Sequence, residues 1–350
     1  MTIIVPGVEF EPKAVVPELV AALRDDHISR FKVVEKTLML RPLPPHEDWL
    51  VVDSTYPGQM QKRVELLQHF QNDRDWIIAR ESSQKVRRAE NELRERVVNY
   101  LTEIYPLYFE RKGDMVSSPL TGITVDVSKK TDPRVVIMML ASEDMVLMCP
   151  AEKNAEGTRI HRLQSGVLAF PNGWSLRSKF VRPDNRALWD EAERESLMNA
   201  RLGKSTAEIH KNMVAHYDTY FAQAIDKAFA KMPVEIIKSR RNKGQTLMNE
   251  LFLHADHVVA PKLPEKAEDW VEGNIRSEQE TFVKLRKSKA IVFTIKTYLW
   301  PLADILKNEE AKQALFAGIK YMEANEPLMV DYRRKTFPTL VQYLRMQGMT

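Results

Sequence analysis

Eight histidines and a single cysteine are the side chains of this chain best suited to hold a metal or relay a proton: His27, His46, His69, His161, His210, His216, His254, His257 and Cys149. A neutral imidazole is a common metal ligand, and a thiolate is a soft one. His254, Asp256 and His257 put three metal-type side chains within four residues. They lack the H-E-x-x-H helix pattern and a further ligand, so a zinc site is not read there. Cys149 closes an apolar run before Pro150 and reads as a buried, inert thiol, with metal ligation as the alternative. Leu202, Gly203, Lys204 and Ser205 spell the end of a phosphate-binding loop, but Met198 stands where its first glycine belongs, so the cradle of backbone amides is missing. No G-x-G-x-x-G turn announces a dinucleotide fold, and a hydrolase is unsupported because no Ser/His/Asp order can be read.

The elements that must position these groups centre on Arg276 to Leu302. The spacing of Phe282 and Leu285 among charged residues predicts a surface helix in the first half. From Ala290 to Tyr298 the period changes: Ile291, Phe293, Ile295 and Thr297 alternate with Val292, Thr294, Lys296 and Tyr298, which predicts a strand closed by Pro301. Further strands are expected at Ile123–Val127, Arg134–Leu140, Asp144–Cys149, Arg159–Phe170 and Gln245–Phe252. Helices are expected at Val15–Leu23, Tyr56–Phe70, from a cap at Ser82 or Ser83 to Pro106, and at His216–Lys231, Glu309–Glu323 and Arg334–Met346. The charged face of the helix before Pro106, KVRR and ELRER, reads as a solvated surface. Met1 to Pro45 reads as an irregular, proline-punctuated wrap. The sum is an α+β fold, a mainly antiparallel sheet with flanking helices.

Composition limits the partners. Fifty-two basic against 48 acidic residues give +4, too mild a balance to imply nucleic acid. One cysteine excludes an internal disulfide framework and fits a reducing compartment. No apolar stretch reaches the ~18 residues of a membrane span, and the first residues carry no signal-like pattern. A cytoplasmic protein without membrane or nucleic-acid partners is expected.

Several landmarks then occur in a fixed order: LRPL and DWLVVDSTYPGQMQKR between Leu40 and Arg63, SEDMVLM from Ser142, GVLAFPNGWSLRSK from Gly166, AEIH ending at His210, RRN from Arg240, and R-x-E-x-x-T followed by F-T-I-x-T-Y between Arg276 and Tyr298. In that order they resemble the haem-dependent oxidative N-demethylase family. The resemblance implies a PAS-like core binding haem b, O2 activation at its iron, and demethylation of a small amine such as dimethylamine with release of formaldehyde. It places an axial imidazole at His210, with His161 or Cys149 as alternatives, although KNMVA follows His210 where the family has a proline turn. It places Arg241, Asn242 and Arg276 around the haem, where a guanidinium fork suits a propionate, and Glu278 as anchor for a substrate ammonium. A helical insertion at 181–203 separates the landmarks. The expected organisation is an N-terminal wrap at 1–110, a haem-binding core at 111–302 and C-terminal helices at 303–350.

Electrons would come from a separate flavin and iron–sulfur reductase, since one cysteine cannot ligate a cluster. That partner would dock on the basic turn of Arg286, Lys287 and Lys289. A haem-binding PAS-type sensor or carrier without turnover, or a haem oxygenase acting on another amine, is the alternative.

Overall fold

The computed structural model of the chain describes residues 2–23, 40–171, 176, 225–247, 251–252, 264–324 and 331–350, with the backbone alone at 2–3, 13, 242–245 and 331–335. His27, His210, His216, His254, His257, Trp174, the 181–203 insertion and the phosphate-loop look-alike lie outside the described residues.

The first residues form a hairpin rather than an irregular wrap. Strands β1 (Thr2–Val5) and β2 (Val8–Phe10) turn at Gly7, whose φ of +84° suits glycine. They join β5 (Glu110–Lys112), β6 (Met115–Ser118) and β7 (Ile123–Asp126) in a five-stranded sheet of order β1-β2-β7-β6-β5. Gly122, at φ +69°, lets the chain pass the Glu11 carbonyl; a Cβ there would stand 2.2 Å from that oxygen.

The larger sheet has seven strands: β3 (Arg41–Pro42), β4 (Ile78–Arg80), β8 (Asp144–Lys153), β9 (Arg159–Val167), β10 (Ile237–Thr246), β11 (Asn274–Lys284) and β12 (Ile291–Pro301). Their order is β3-β10-β11-β12-β8-β9-β4, and each ladder between these strands is antiparallel. This is the α+β architecture that the strand count and short turns imply.

Helices α1 (Pro17–Ala21), α2 (Tyr56–His69), α3 (Gln84–Ile104) and α4 (Pro133–Leu140) precede α5 (225–231), α6 (Leu302–Lys307), α7 (Glu309–Ala324) and α8 (Asp331–Met346). Helix α3 starts where Ser83 Oγ accepts from the Val86 N–H at 3.1 Å. It buries Val86, Ala89, Leu93, Val97 and Leu101. Its charged face is only partly solvated. Glu90 is fully buried, accepting from Ser165 Oγ at 2.6 Å and pairing with Arg80 at 2.9 Å, and Arg94 donates to the Ser128 carbonyl at 3.0 Å.

Three further sequence expectations differ from the structure. Arg134–Leu140 is the helix α4, not a strand: Asp132 accepts from the Arg134 N–H at 3.0 Å and Pro133 takes the first turn, and the segment's uniform burial hid its period. The strand expected at Gln245–Phe252 is met only at its start: Gln245 and Thr246 end β10 (Ile237–Thr246), a polar run, Leu247, Leu251 and Phe252 lie in no strand, and 248–250 lie outside the described residues. Arg276–Lys284, expected as a charged surface helix, is the buried strand β11, because its charged side chains are paired inside the sheet.

Candidate functional site

The hairpin β11–β12 is in register from Lys284 opposite Ile291 to Asn274 opposite Pro301. Its turn is closed by the Leu285 N–H donating to the Ala290 carbonyl at 2.8 Å, with Lys289 at φ +59°. Glu92 of α3 accepts the Lys287 and Ser288 N–H groups at 2.7 and 2.8 Å. The basic turn of Arg286, Lys287 and Lys289 is thus anchored on an acidic residue.

Strand alternation divides the hairpin's side chains between two faces. One face, toward α2, carries Ser277, Gln279, Thr281, Val283, Val292, Thr294, Lys296, Tyr298 and Trp300. The other, toward α5, carries Arg276, Glu278, Glu280, Phe282 and Lys284 opposite Leu299, Thr297, Ile295, Phe293 and Ile291.

The α2 face holds a closed polar cluster. Lys296 is 1% exposed and donates to Gln59 Oε1 at 2.8 Å and Ser142 Oγ at 2.7 Å, with Asp53 at 3.7 Å. Asp53 also accepts from Tyr298 OH at 2.9 Å, and Gln59 donates to the Thr297 carbonyl at 2.8 Å, beyond the point where β8 stops pairing with β12. Beside it, Arg63 donates to Asp144 at 2.7 Å and lies 5.1 Å over the Phe170 ring. Burial pushes the carboxyls of Glu143 and Asp144 up and the Arg63 guanidinium down, while Lys296 and Arg63 respectively oppose the carboxyl shifts. Asp144 further accepts the Ala169 and Phe170 N–H groups at 2.7 and 2.8 Å.

The α5 face has two ends. At the turn end Phe282 and Phe293 stack with centroids 4.5 Å apart, Phe229 of α5 sits 5.7 Å from Phe282, and His161 meets Phe229 edge-on at 6.0 Å. His161 is buried, its Nδ1 has no hydrogen-bond partner, and burial assisted by the nearby Lys284 ammonium lowers its pKa to about 4. The far end is polar. Arg276, 2% exposed, donates from Nη1 to the Leu251 carbonyl at 2.9 Å, from Nη2 to the Phe170 carbonyl, and from Nε to Glu278 Oε1 at 3.3 Å. Glu278 is a half-buried carboxylate, its side chain 14% exposed. Across the hairpin from it stands Thr297, fully buried, whose hydroxyl has no partner.

The residues singled out from sequence are therefore only partly gathered. Arg276 and Glu278 adjoin, and Asn242 is the register partner of Glu278 on β10. Arg241 points to the opposite face, donating to Gln279 at 2.7 Å and Glu47 at 2.7 Å. His161 lies beside Lys284, six residues and so roughly 20 Å along the strand from Glu278. Cys149 packs in the core on the α2 side, and burial pushes its thiol up to about 12.

Among the described residues no group of three or more His, Cys, Asp or Glu side chains is placed to hold a metal. Two surface grooves, of about 370 and 520 Å³, flank α3 and have no lining residue in common with the polar end. The guanidinium groups expected around a haem, Arg241 and Arg276, already have protein partners. The orphaned Thr297 hydroxyl and the Glu278 carboxylate suit a ligand bearing N–H groups, whereas the imidazole expected at the iron, His210, lies outside the described residues.

Sequence reasoning passed over Thr297, Lys296, Asp53, Arg63 and Asp144. The alternation of Ile291 to Tyr298 already put Thr297 on the face of Phe293, but an unpartnered hydroxyl is visible only once its surroundings are known.

A family model described as haem-dependent oxidative N-demethylase, alpha subunit-like, matches residues 40–183 and 197–338. No curated protein matches the chain. No helix among the described residues is long and apolar enough to cross a membrane.

Proposed function

The chain belongs to the haem-dependent oxidative N-demethylase, alpha subunit-like family, and from that membership we propose that it is a haem b monooxygenase that demethylates a small methylated amine of the dimethylamine kind. The observation that carries the amine half of this reading is Glu278, a carboxylate with a side chain only 14% exposed beside an unpartnered hydroxyl. An alkylammonium would enter such a place by a charge-assisted hydrogen bond.

Bound haem would supply the oxidising chemistry. In the overall balance one oxygen atom of O2 enters a methyl C–H bond of the amine, and the other leaves as water with two electrons and two protons. The carbinolamine so formed collapses to formaldehyde and the demethylated amine. Glu278 holds the ammonium, and Arg276 holds Glu278 while tying the Phe170 and Leu251 carbonyls to β11. Asn242 belongs to the same stretch by register, and His210 is assigned to the iron. Arg241, assigned to a propionate by family resemblance, is committed to Glu47 and Gln279, so that contact requires this pair to open.

The seven-stranded sheet serves as the PAS-like core of a cytoplasmic protein. A separate flavin and iron–sulfur reductase supplies the electrons and docks at the turn of Arg286, Lys287 and Lys289.

The purified chain loaded with hemin is expected to show a Soret band at about one haem per chain. It is expected to release formaldehyde from dimethylamine only when a surrogate ferredoxin and its reductase are added to NADPH and O2. Failure to take up hemin overturns the reading. Uptake of hemin with no formaldehyde from any methylated amine moves it to the haem-binding sensor.

A further inference from the structure

We propose that Thr297 is a specificity-determining residue of this site, its hydroxyl accepting the second N–H of a secondary ammonium whose first N–H is taken by Glu278. The inference rests on the amine reading above and goes beyond it in assigning how the site counts N–H groups.

Three observations carry it. Thr297 is 0% exposed, and its Oγ1 has no hydrogen-bond partner. A buried hydroxyl left unpaired costs about 1–3 kcal/mol, so such groups in a folded protein call for a reason. Secondly, Thr297 is the direct register partner of Glu278, so both side chains rise from the same face, with Cβ atoms about 5 Å apart as in any directly opposed pair. A single nitrogen can lie between two acceptors at that spacing. Thirdly, the strand provides its own control. Thr294, three residues earlier and on the other face, is equally buried but has its hydroxyl bonded to Thr281. Burial of a threonine in β12 does not by itself leave the hydroxyl unpaired.

The chemistry follows from valence. A secondary ammonium has two N–H donors and two alkyl groups, a tertiary one has a single donor, and a quaternary one has none. One carboxylate and one hydroxyl acceptor match the first of these. A tertiary ammonium would satisfy Glu278 and leave the threonine unpaired, and a site built to bond a group discriminates against the analogue that lacks it.

The test measures binding, without turnover, by calorimetric titration of the oxidised haem-loaded protein with dimethylammonium chloride and with trimethylammonium chloride. Thr297→Val, which keeps the shape and removes the hydroxyl, is expected to weaken dimethylammonium about tenfold and leave trimethylammonium within about twofold. Thr297→Ser is expected to restore dimethylammonium binding, and Glu278→Gln to weaken both ligands. If wild type binds dimethylammonium and Thr297→Val binds it equally well, or loses both ammoniums in parallel, the role of Thr297 is overturned while the amine reading stands. If wild type binds neither ammonium, the amine reading itself falls, and this inference with it.

Discussion

The two faces of the β11–β12 hairpin present the same kinds of group in opposite condition. On the α2 face Lys296, Asp53, Gln59, Ser142 and Tyr298 bond one another. On the α5 face Arg276 is fully engaged, but Thr297 faces Glu278 with no partner. A closed polar cluster in a protein interior specifies the position of the elements it joins, here α2, β12 and the start of β8. An incomplete one gives up stability and keeps an acceptor for something else. One strand thus separates a bonded polar cluster from an incomplete one.

Substitutions that break this contrast are ranked by expected size. Lys296→Met should cost most, about 3–5 kcal/mol in urea unfolding, because it leaves the buried Asp53 carboxylate without the Lys296 charge, held by the neutral donors of Thr55 and Tyr298. A loss below about 1 kcal/mol would show that the α2 cluster is not a bonded unit.

Next comes pH. Folded His161 takes its proton only near pH 4, against an ordinary 6.5 for the unfolded imidazole. Its contribution is therefore fully present above pH 6.5 and is lost as pH falls toward 4, amounting to about 2 kcal/mol at pH 5. In urea unfolding at pH 7 and pH 5, wild type should lose about 2 kcal/mol more than His161→Phe, the carboxyls raised by burial contributing equally to both proteins. An unchanged slope in the variant would place the titration elsewhere.

The matched pair Thr294→Val and Thr297→Val sharpens the comparison most directly. Thr294→Val should cost about 1–2 kcal/mol, since it strands the Thr281 hydroxyl. Thr297→Val, measured without amine, should raise stability by about 1–3 kcal/mol, since no bond is lost and the unpaired hydroxyl is removed. Equal losses at the two positions would show that the faces do not differ.

The sequence revealed one half of this hairpin and concealed the other, for a physical reason. In β12 the alternation from Ile291 to Tyr298 is apolar enough to display a period of two. In β11 the residues buried on the α5 face include Arg276, Glu280 and Lys284, so the inward positions look like solvent positions and the sparse Phe282 and Leu285 suggest a helix. The strand β10, IKSRRNKGQT, carries almost no apolar signal and is placed by its neighbours. Helix α4 erred the other way, all of it apolar and buried except Arg134. Arg276 and Glu278 are singled out through the family resemblance, but the helix expected there would have turned them apart, and it is the strand that sets them on one face. That Arg241 faces away from them follows from register, which one sequence does not specify.

The strand order carries a consequence for synthesis. β8, β9 and β4 are all complete early in the chain, yet β8 pairs on its other side with β12, where Met148 meets Ile291. The ribosome must add about 140 more residues first, which at about 5–20 residues per second takes roughly 7–30 s. During that interval the nascent chain offers an unsatisfied β-edge flanked by Met145, Val146, Leu147 and Met148, a template for pairing with a neighbouring nascent chain. Efficient production of this protein should therefore depend on a holding chaperone, or on slow, cool expression, more than its final stability would suggest.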